Sequence, residues 1–236
     1  MSVTGEVPRI ATAPGVSPEL SDAPPTESLV EAYRQMAHTH ERRSVDPVIR
    51  ALDVVISATA LIACAPVLLV AALAVACTGR PILYRGLRAG QAGRLYTMYK
   101  FRTLRRDAEA RMAGLYGAPL TQVTADEQTA VGRILRATKI DELPQLINVL
   151  RGDMSMVGPR PVRPAFFEEL IHEIPAYWQR LVVRPGITGF AQLRLGREES
   201  WAQKLAHDNE WIADRSVSLY LSAIWSTALS LVRRGS

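Results

Sequence analysis

The stretch Val54-Val55-Ile56-Ser57-Ala58-Thr59-Ala60-Leu61-Ile62-Ala63-Cys64-Ala65-Pro66, which stays apolar through Gly79, decides how this chain is read. Its 26 residues include no Asp, Glu, Lys, Arg or His. A helix of that length measures about 39 Å at 1.5 Å per residue, enough to cross a bilayer. Pro66 stands at its centre, where a proline removes a helical hydrogen bond and crowds the preceding turn, so a kink is expected. Arg42, Arg43 and Arg50 precede the run, and Arg80, Arg85, Arg88 and Arg94 follow it. Positive charge marks the cytoplasmic side of a membrane, and here it marks both ends. The pattern therefore favours a re-entrant helix, entering and leaving by one face, over a straight span. More than fifty residues precede the run, and it exceeds a signal-peptide core.

Around this segment the chain divides into three parts. Residues 1–45 form a Pro-, Ala- and Ser-rich stretch expected to be a disordered tail, with a short surface helix near 28–43. Residues 46–80 hold the re-entrant helix, and 81–236 read as one mixed domain. Its fold class is α+β: mostly helical and membrane-associated, with short strands and interfacial amphipathic helices. Extended segments are expected at Ile82-Leu83-Tyr84 and Leu95–Tyr99, and helices near 103–114, 142–151, 165–182, 200–214 and 217–234. The last helix, with Trp178, Trp201 and Trp211, makes either an interfacial aromatic face or ordinary core. Cys64 and Cys77 both lie inside the apolar run and read as small buried hydrophobes.

The net charge is +5, and its placement says more than its size. Eight Lys or Arg and no Asp or Glu occur from Arg80 to Arg106, a block suited to polyanions such as lipid or nucleotide phosphates. No helix-turn-helix, zinc-finger or ribonucleoprotein signature accompanies it, so nucleic acid is not expected as a partner.

Leu143, Leu146, Ile147 and Leu150 fall at helical spacing, and Pro144 is tolerated only in a first turn. The helix is expected to start at Asp141 to Leu143, with Thr138 capping it and Gly152 stopping it. Asp141 and Glu142 then sit at a helix N-terminus, where ionised carboxylates are favoured. Such a carboxylate caps a helix, ligates a metal or attacks phosphorus. Lys100-Phe101-Arg102, Arg160 between Pro159 and Pro161, and Arg184-Pro185 supply rigidly held cations that match phosphate oxygens.

These residues resemble the monotopic bacterial phosphoglycosyl transferases, small membrane enzymes that prime glycan assembly on polyprenyl phosphate. The likeness runs from about Arg50 to Thr227. It rests on Leu52-Asp53, Tyr99-Lys100-Phe101-Arg102-Thr103, Gly132-Arg133-Ile134-Leu135-Arg136, Asp141-Glu142-Leu143-Pro144-Gln145, Gly152-Asp153-Met154-Ser155, Val157-Gly158-Pro159-Arg160-Pro161 and Arg184-Pro185-Gly186-Ile187-Thr188-Gly189. The resemblance implies transfer of sugar-1-phosphate from a UDP-sugar to undecaprenyl phosphate, with release of UMP. It implies Asp141 as nucleophile, forming a covalent phosphosugar intermediate, and Glu142 as the residue that helps hold Mg²⁺. Lys100, Arg102, Arg160 and Arg184 are the expected phosphate contacts.

It further implies membrane lipids as partners, homodimers as in other members, and a catalytic domain on the cytoplasmic face of the bacterial inner membrane. Longer relatives carry several preceding membrane helices, so the minimal form is expected here. Ala65, Gly86, Glu127, Gln128, Trp211 and Tyr220 depart from the family pattern. Two other readings compete: a non-catalytic membrane-anchored scaffold or regulator of the same fold, and a basic module binding anionic surfaces. Neither gives the acidic pair a task.

Overall fold

A computed structural model of the chain describes residues 43–106, 108, 123–195 and 199–235. The expected N-terminal tail and its surface helix, and most of the expected 103–114 helix, lie outside these residues.

The apolar run folds as two helices, α1 (Asp46–Ala63) and α2 (Ala65–Cys77), bent by 63° at Cys64. The break falls where Pro66 has no N–H to return to Ile62, so the ladder is interrupted and α2 restarts with Pro in its first turn. No single helix among the described residues is long and apolar enough to cross a membrane; the bent pair is, by length and composition. Cys64 is half-buried and Cys77 exposed, contrary to the buried positions expected of them. Burial in the pair is confined to Ile49, Asp53 and Ser57 on α1 and to Ala71 and Val75 on α2, and many of its other residues turn outward.

Strands β1 (Leu83–Ala89) and β2 (Leu95–Phe101) make an antiparallel hairpin with Leu83 opposite Phe101 and Ala89 opposite Leu95. Next comes α3 (Ala130–Ala137), a helix the sequence reading passed over, capped by Thr129 Oγ1 accepting from the Gly132 N–H at 2.9 Å. A side chain at Gly132 would collide with the Thr103 backbone, so glycine is what lets α3 lie directly on the chain leaving β2. A 3₁₀ turn (Ile140–Glu142) leads into α4 (Gln145–Arg151), which ends at Gly152 with φ +89°. Strands β3 (Ser155–Val157) and β4 (Gly186–Thr188) pair in parallel, Ser155 with Gly186 and Val157 with Thr188.

The helix expected over 165–182 is instead α5 (Pro164–Glu173) followed by a 3₁₀ segment (Pro175–Val182). Pro175 lacks an N–H and disfavours helical geometry at Ile174, which divides the two. After α6 (Phe190–Arg194), α7 (Trp201–Asp214) opens with a capping box between Ser200 and Gln203, and α8 (Val217–Gly235) closes the chain. Trp211 is buried against Phe190 and Tyr220, whereas Trp225 on α8 is 72% exposed, so the aromatic residues divide between core and surface.

Arg102 was expected to contact phosphate, and its guanidinium is occupied otherwise. Nε donates to Pro81 O at 2.8 Å and Nη1 to Leu104 O at 2.9 Å. Nη2 reaches Gly79 O at 2.8 Å and Thr78 Oγ1 at 2.9 Å, just past the end of α2. The residue is buried and fixes the exit of the bent pair to the strand that carries Lys100. Lysine cannot replace this planar fork. Arg102→Lys should therefore cost about 3 kcal/mol, since two or more charge-assisted hydrogen bonds are lost. Thermal melts in detergent check this, and an unchanged midpoint would show that Arg102 is not structural.

Candidate active site

Asp141 and Glu142 occupy the 3₁₀ turn before α4, not the helix itself. The expected Thr138 cap is a correction as well. Thr138 Oγ1 donates back to Ile134 O at 2.8 Å and closes α3, while Lys139, at φ +61°, turns the chain sharply into the acidic pair. A left-handed lysine is uncommon and stores strain, here directly beside the candidate nucleophile.

Two cations from separate elements converge on Glu142. Lys100, near the end of β2, places Nζ 2.8 Å from Oε1, and Arg160, in the turn after β3, places Nη2 3.7 Å from the same oxygen. Asn148 holds β2 and α4 together: it accepts from the Tyr99 N–H at 3.0 Å and donates to Thr97 O at 2.8 Å. It is wholly buried and lies off the Leu143, Leu146, Ile147 and Leu150 face, so that pattern gave no sign of it. Arg160 has its backbone held as well, because Arg180 Nη2 donates to Arg160 O at 2.9 Å. Arg180 is itself paired with Asp208 through Nε at 2.7 Å, inside the core. The Arg160 side chain remains half exposed.

Electrostatics separate the two carboxyls. Burial disfavours the charge on Glu142, but Lys100, Arg160 and Lys139 outweigh it and hold its pKa at about 2. Asp141 is raised above the usual carboxylate range, first by burial and then by the Glu142 charge, against opposition from Lys100, Arg136 and Lys139. Burial also lowers Lys100, with Glu142 opposing. One carboxylate is thus a fixed anion and its neighbour a poorly solvated one. Asp141 Oδ1 and Gln145 Nε2 are both buried with no hydrogen-bond partner among the described residues, so the site holds unused polar capacity.

Of the other expected phosphate contacts, Lys100 and Arg160 stand at the dyad and Arg184 does not. Arg184 Nε donates to Gly152 O at 2.9 Å, beyond the far end of α4. No cluster of three or more His, Cys, Asp or Glu suited to a metal exists among the described residues. The two adjacent carboxylates still fit Mg²⁺, a hard cation usually held by one or two carboxylates plus substrate phosphates, and the partnerless Asp141 Oδ1 is the observation that favours the fit.

The sequence profile of the bacterial sugar transferases matches residues 44–234. The chain belongs to that family. It is 43% identical over 197 residues to the UDP-glucose:undecaprenyl-phosphate glucose-1-phosphate transferase of Caulobacter vibrioides, covering 81% of this chain and 72% of the relative. It is 35% identical to the exopolysaccharide production protein PSS of Rhizobium leguminosarum bv. phaseoli, over 79% of this chain and 96% of that one. With the UDP-N-acetylgalactosamine-undecaprenyl-phosphate N-acetylgalactosaminephosphotransferase of Aeromonas hydrophila it shares 33% identity over 78% of its length, spanning 43% of that relative.

The raised Asp141 carboxyl has a stability consequence. A folded-state pKa above the unfolded one favours folding fully at low pH, and that contribution is lost as pH rises through the folded value. Above that value the ionised Asp141 therefore burdens the fold. Asp141→Asn should raise the thermal midpoint at pH 7.5, with the gain shrinking as pH falls toward 4. A midpoint below wild type at pH 7.5 would contradict the buried, charge-repelled carboxyl.

Proposed function

We propose that this protein moves a sugar-1-phosphate from a UDP-sugar to undecaprenyl phosphate, releasing UMP, at the first membrane step of exopolysaccharide or glycoconjugate synthesis. The observation that carries the reading is the buried Asp141–Glu142 pair, ringed by Lys100, Arg136, Lys139 and Arg160. The donor and acceptor named for the Caulobacter relative supply the substrate classes.

An Asp141 carboxylate oxygen attacks the sugar-bearing phosphorus, and the phosphoanhydride bond to UMP breaks as UMP leaves with the bridging oxygen. The product is an aspartyl phosphosugar. An oxygen of the lipid phosphate then attacks the same phosphorus, the Asp141–phosphorus bond breaks, and the carboxylate is regenerated with undecaprenyl diphosphate-sugar. Covalent catalysis divides one transfer into two in-line displacements. Lys100 and Arg160 stabilise charge on the transferring phosphoryl group. Glu142, with Asp141, would hold Mg²⁺, which offsets the repulsion between an anionic nucleophile and an anionic diphosphate.

The bent pair serves as a re-entrant anchor on the cytoplasmic face of the inner membrane. Its 63° bend, its arginine-flanked ends and its outward apolar residues support this: Ile62 is 78% exposed, Val70 67% and Leu69 62%. Trp225, Leu221 and Leu229 on α8 add apolar surface. The likeness to dimerising family members makes a homodimer part of the proposal. The names of the relatives carry both glucose and N-acetylgalactosamine, so the sugar is to be found by experiment.

In nanodiscs with Mg²⁺, undecaprenyl phosphate and a panel of UDP-sugars, one or two donors should release UMP. Asp141→Asn and Glu142→Gln should each lower the rate about a thousandfold or more, and chelation of Mg²⁺ should abolish it reversibly. Without acceptor, sugar-labelled donor should leave label on wild-type protein and none on Asp141→Asn. Turnover undiminished in Asp141→Asn would sink the covalent mechanism. Absence of turnover with every donor would favour the scaffold reading.

A further inference from the structure

The proposed reaction brings a soluble donor and a lipid acceptor to one nucleophile, and the cations around the dyad divide between two sides. Successive residues of β2 face opposite sides of the strand. Phe101 packs with Ala71 and Val75 of α2 and with Leu135 of α3, so its neighbour Lys100 faces away from α2. Arg160, from the turn after β3, meets the same Glu142 oxygen as Lys100. Lys139 comes from the other direction. It leaves α3, whose Val131 and Leu135 pack with α2, and the residue after it, Ile140, belongs to that same cluster.

The four cations also differ in what they hold. Lys100 and Arg160 pair with Glu142, and Arg136 Nε donates to Thr103 Oγ1 at 2.8 Å. The Lys139 ammonium makes no hydrogen bond or ion pair among the described residues, although the residue is half-buried. Its charge still reaches both carboxyls, opposing the upward shift of Asp141 and helping to hold Glu142 ionised.

A second observation is independent of charge. Lys139 has φ +61°, a backbone that glycine adopts without strain and lysine does not. A strained residue two positions before the nucleophile, keeping a long cationic side chain that no protein group uses, is placed for a group that arrives. The approach on this side is apolar. Leu69, Val70 and Leu73 on α2 are exposed, and Ile134 on α3 is 66% exposed.

Resting on the transferase reading, we propose that Lys139 binds the phosphate of the lipid acceptor, while Lys100 and Arg160 serve the sugar diphosphate. The acceptor's chain lies against α2 and α3, which brings its phosphate to the Lys139 side of the dyad. The ammonium donates to two of the phosphate oxygens and so orients a third toward the phosphorus carried by Asp141. It forms and breaks no covalent bond. Its task is to offset the repulsion between the acceptor anion and the phosphosugar anion, which arises only in the second displacement.

The two half-reactions isolate this role. The full chain in nanodiscs receives Mg²⁺ and sugar-labelled donor, first without acceptor. Lys139→Asn removes the charge and keeps a residue type that tolerates a left-handed backbone. It should take up label at a rate within about threefold of wild type. With undecaprenyl phosphate added, its UMP release at low acceptor should fall about tenfold or more, with the acceptor KM raised and the donor KM unchanged. Lys139→Arg should recover most of that loss. Lys139→Gly should show the same acceptor defect with a thermal midpoint at or above wild type, which separates the charge from the backbone strain. Labelling slowed as much as turnover, an unchanged acceptor KM in the Asn and Gly variants, or a raised donor KM would overturn the proposal. Wild-type protein that neither takes up label nor releases UMP would overturn the transferase reading, and this role with it.

Discussion

One turn of α1 ties the apolar helices to the rest of the molecule. Arg50 and Asp53 are three residues apart and work on different neighbours. Arg50 places its guanidinium on Val149 O at 2.6 Å and Leu150 O at 2.9 Å, carbonyls at the end of α4. A cation there satisfies groups that a helix leaves open and meets the negative end of its dipole. Asp53 Oδ1 accepts from Ser155 Oγ at 2.9 Å, from the Met156 N–H at 2.8 Å and from Tyr220 Oη at 2.8 Å. A single carboxylate oxygen thereby joins α1, β3 and α8. Because α4 is the helix that the dyad turn leads into, this turn of α1 fixes where the dyad sits relative to the outward apolar surface. A site joining a soluble donor to a lipid acceptor depends on that relation more than on any one contact within it.

The second constraint is the unequal treatment of two adjacent carboxyls. Sequence adjacency alone would give Asp141 and Glu142 the same surroundings. The 3₁₀ turn instead aims Glu142 at Lys100 and Arg160 and leaves Asp141 buried with an oxygen unpaired. Two like charges this close discourage each other's ionisation, and the nearer cations decide which one yields. Glu142 is the stable anion, so Asp141 carries the repulsion and the loss of solvent. A carboxylate stripped of water is the more reactive oxygen, at a cost in stability that the surrounding core must absorb.

The sequence carried the local features well. An uncharged run with a central proline told of a bent helix pair, and the bend appears at Cys64, beside that proline. The extended segments expected at Ile82-Leu83-Tyr84 and Leu95–Tyr99 fall largely within β1 and β2, and Gly152 marked the end of α4 where it occurs. What failed depended on distant partners. The three-residue strands β3 and β4 are too short to have a period and exist because Gly158 and Gly186 let two backbones approach closely. The eight residues of α3 place Val131, Ile134 and Leu135 at helical spacing, a stripe too short to stand out beside two arginines and a glycine. Thr138 has the spacing of a cap for the dyad, yet a left-handed Lys139 breaks the register and gives the threonine to the helix before it.

Arginines show the same limit most sharply. A guanidinium suits a carbonyl cluster as well as a phosphate, and residue type cannot say which one it will meet. Arg102 and Arg184 are committed to backbone oxygens, and only Arg160 of the three combines exposure with a nearby dyad. The reason lies in the division of labour around it. Pro159 and Pro161 restrict its backbone, and Arg180, paired with Asp208, holds its carbonyl from the core side. That leaves the side chain as the one mobile part, 3.7 Å from Glu142 and looser than the 2.8 Å Lys100 contact on the same oxygen. An arriving diphosphate therefore competes for Arg160 first, because the longer, more exposed pair has less to lose. In the proposed reaction, drawing Arg160 away also weakens the positive field at the Glu142 carboxylate, so that donor binding itself changes the field at the nucleophile.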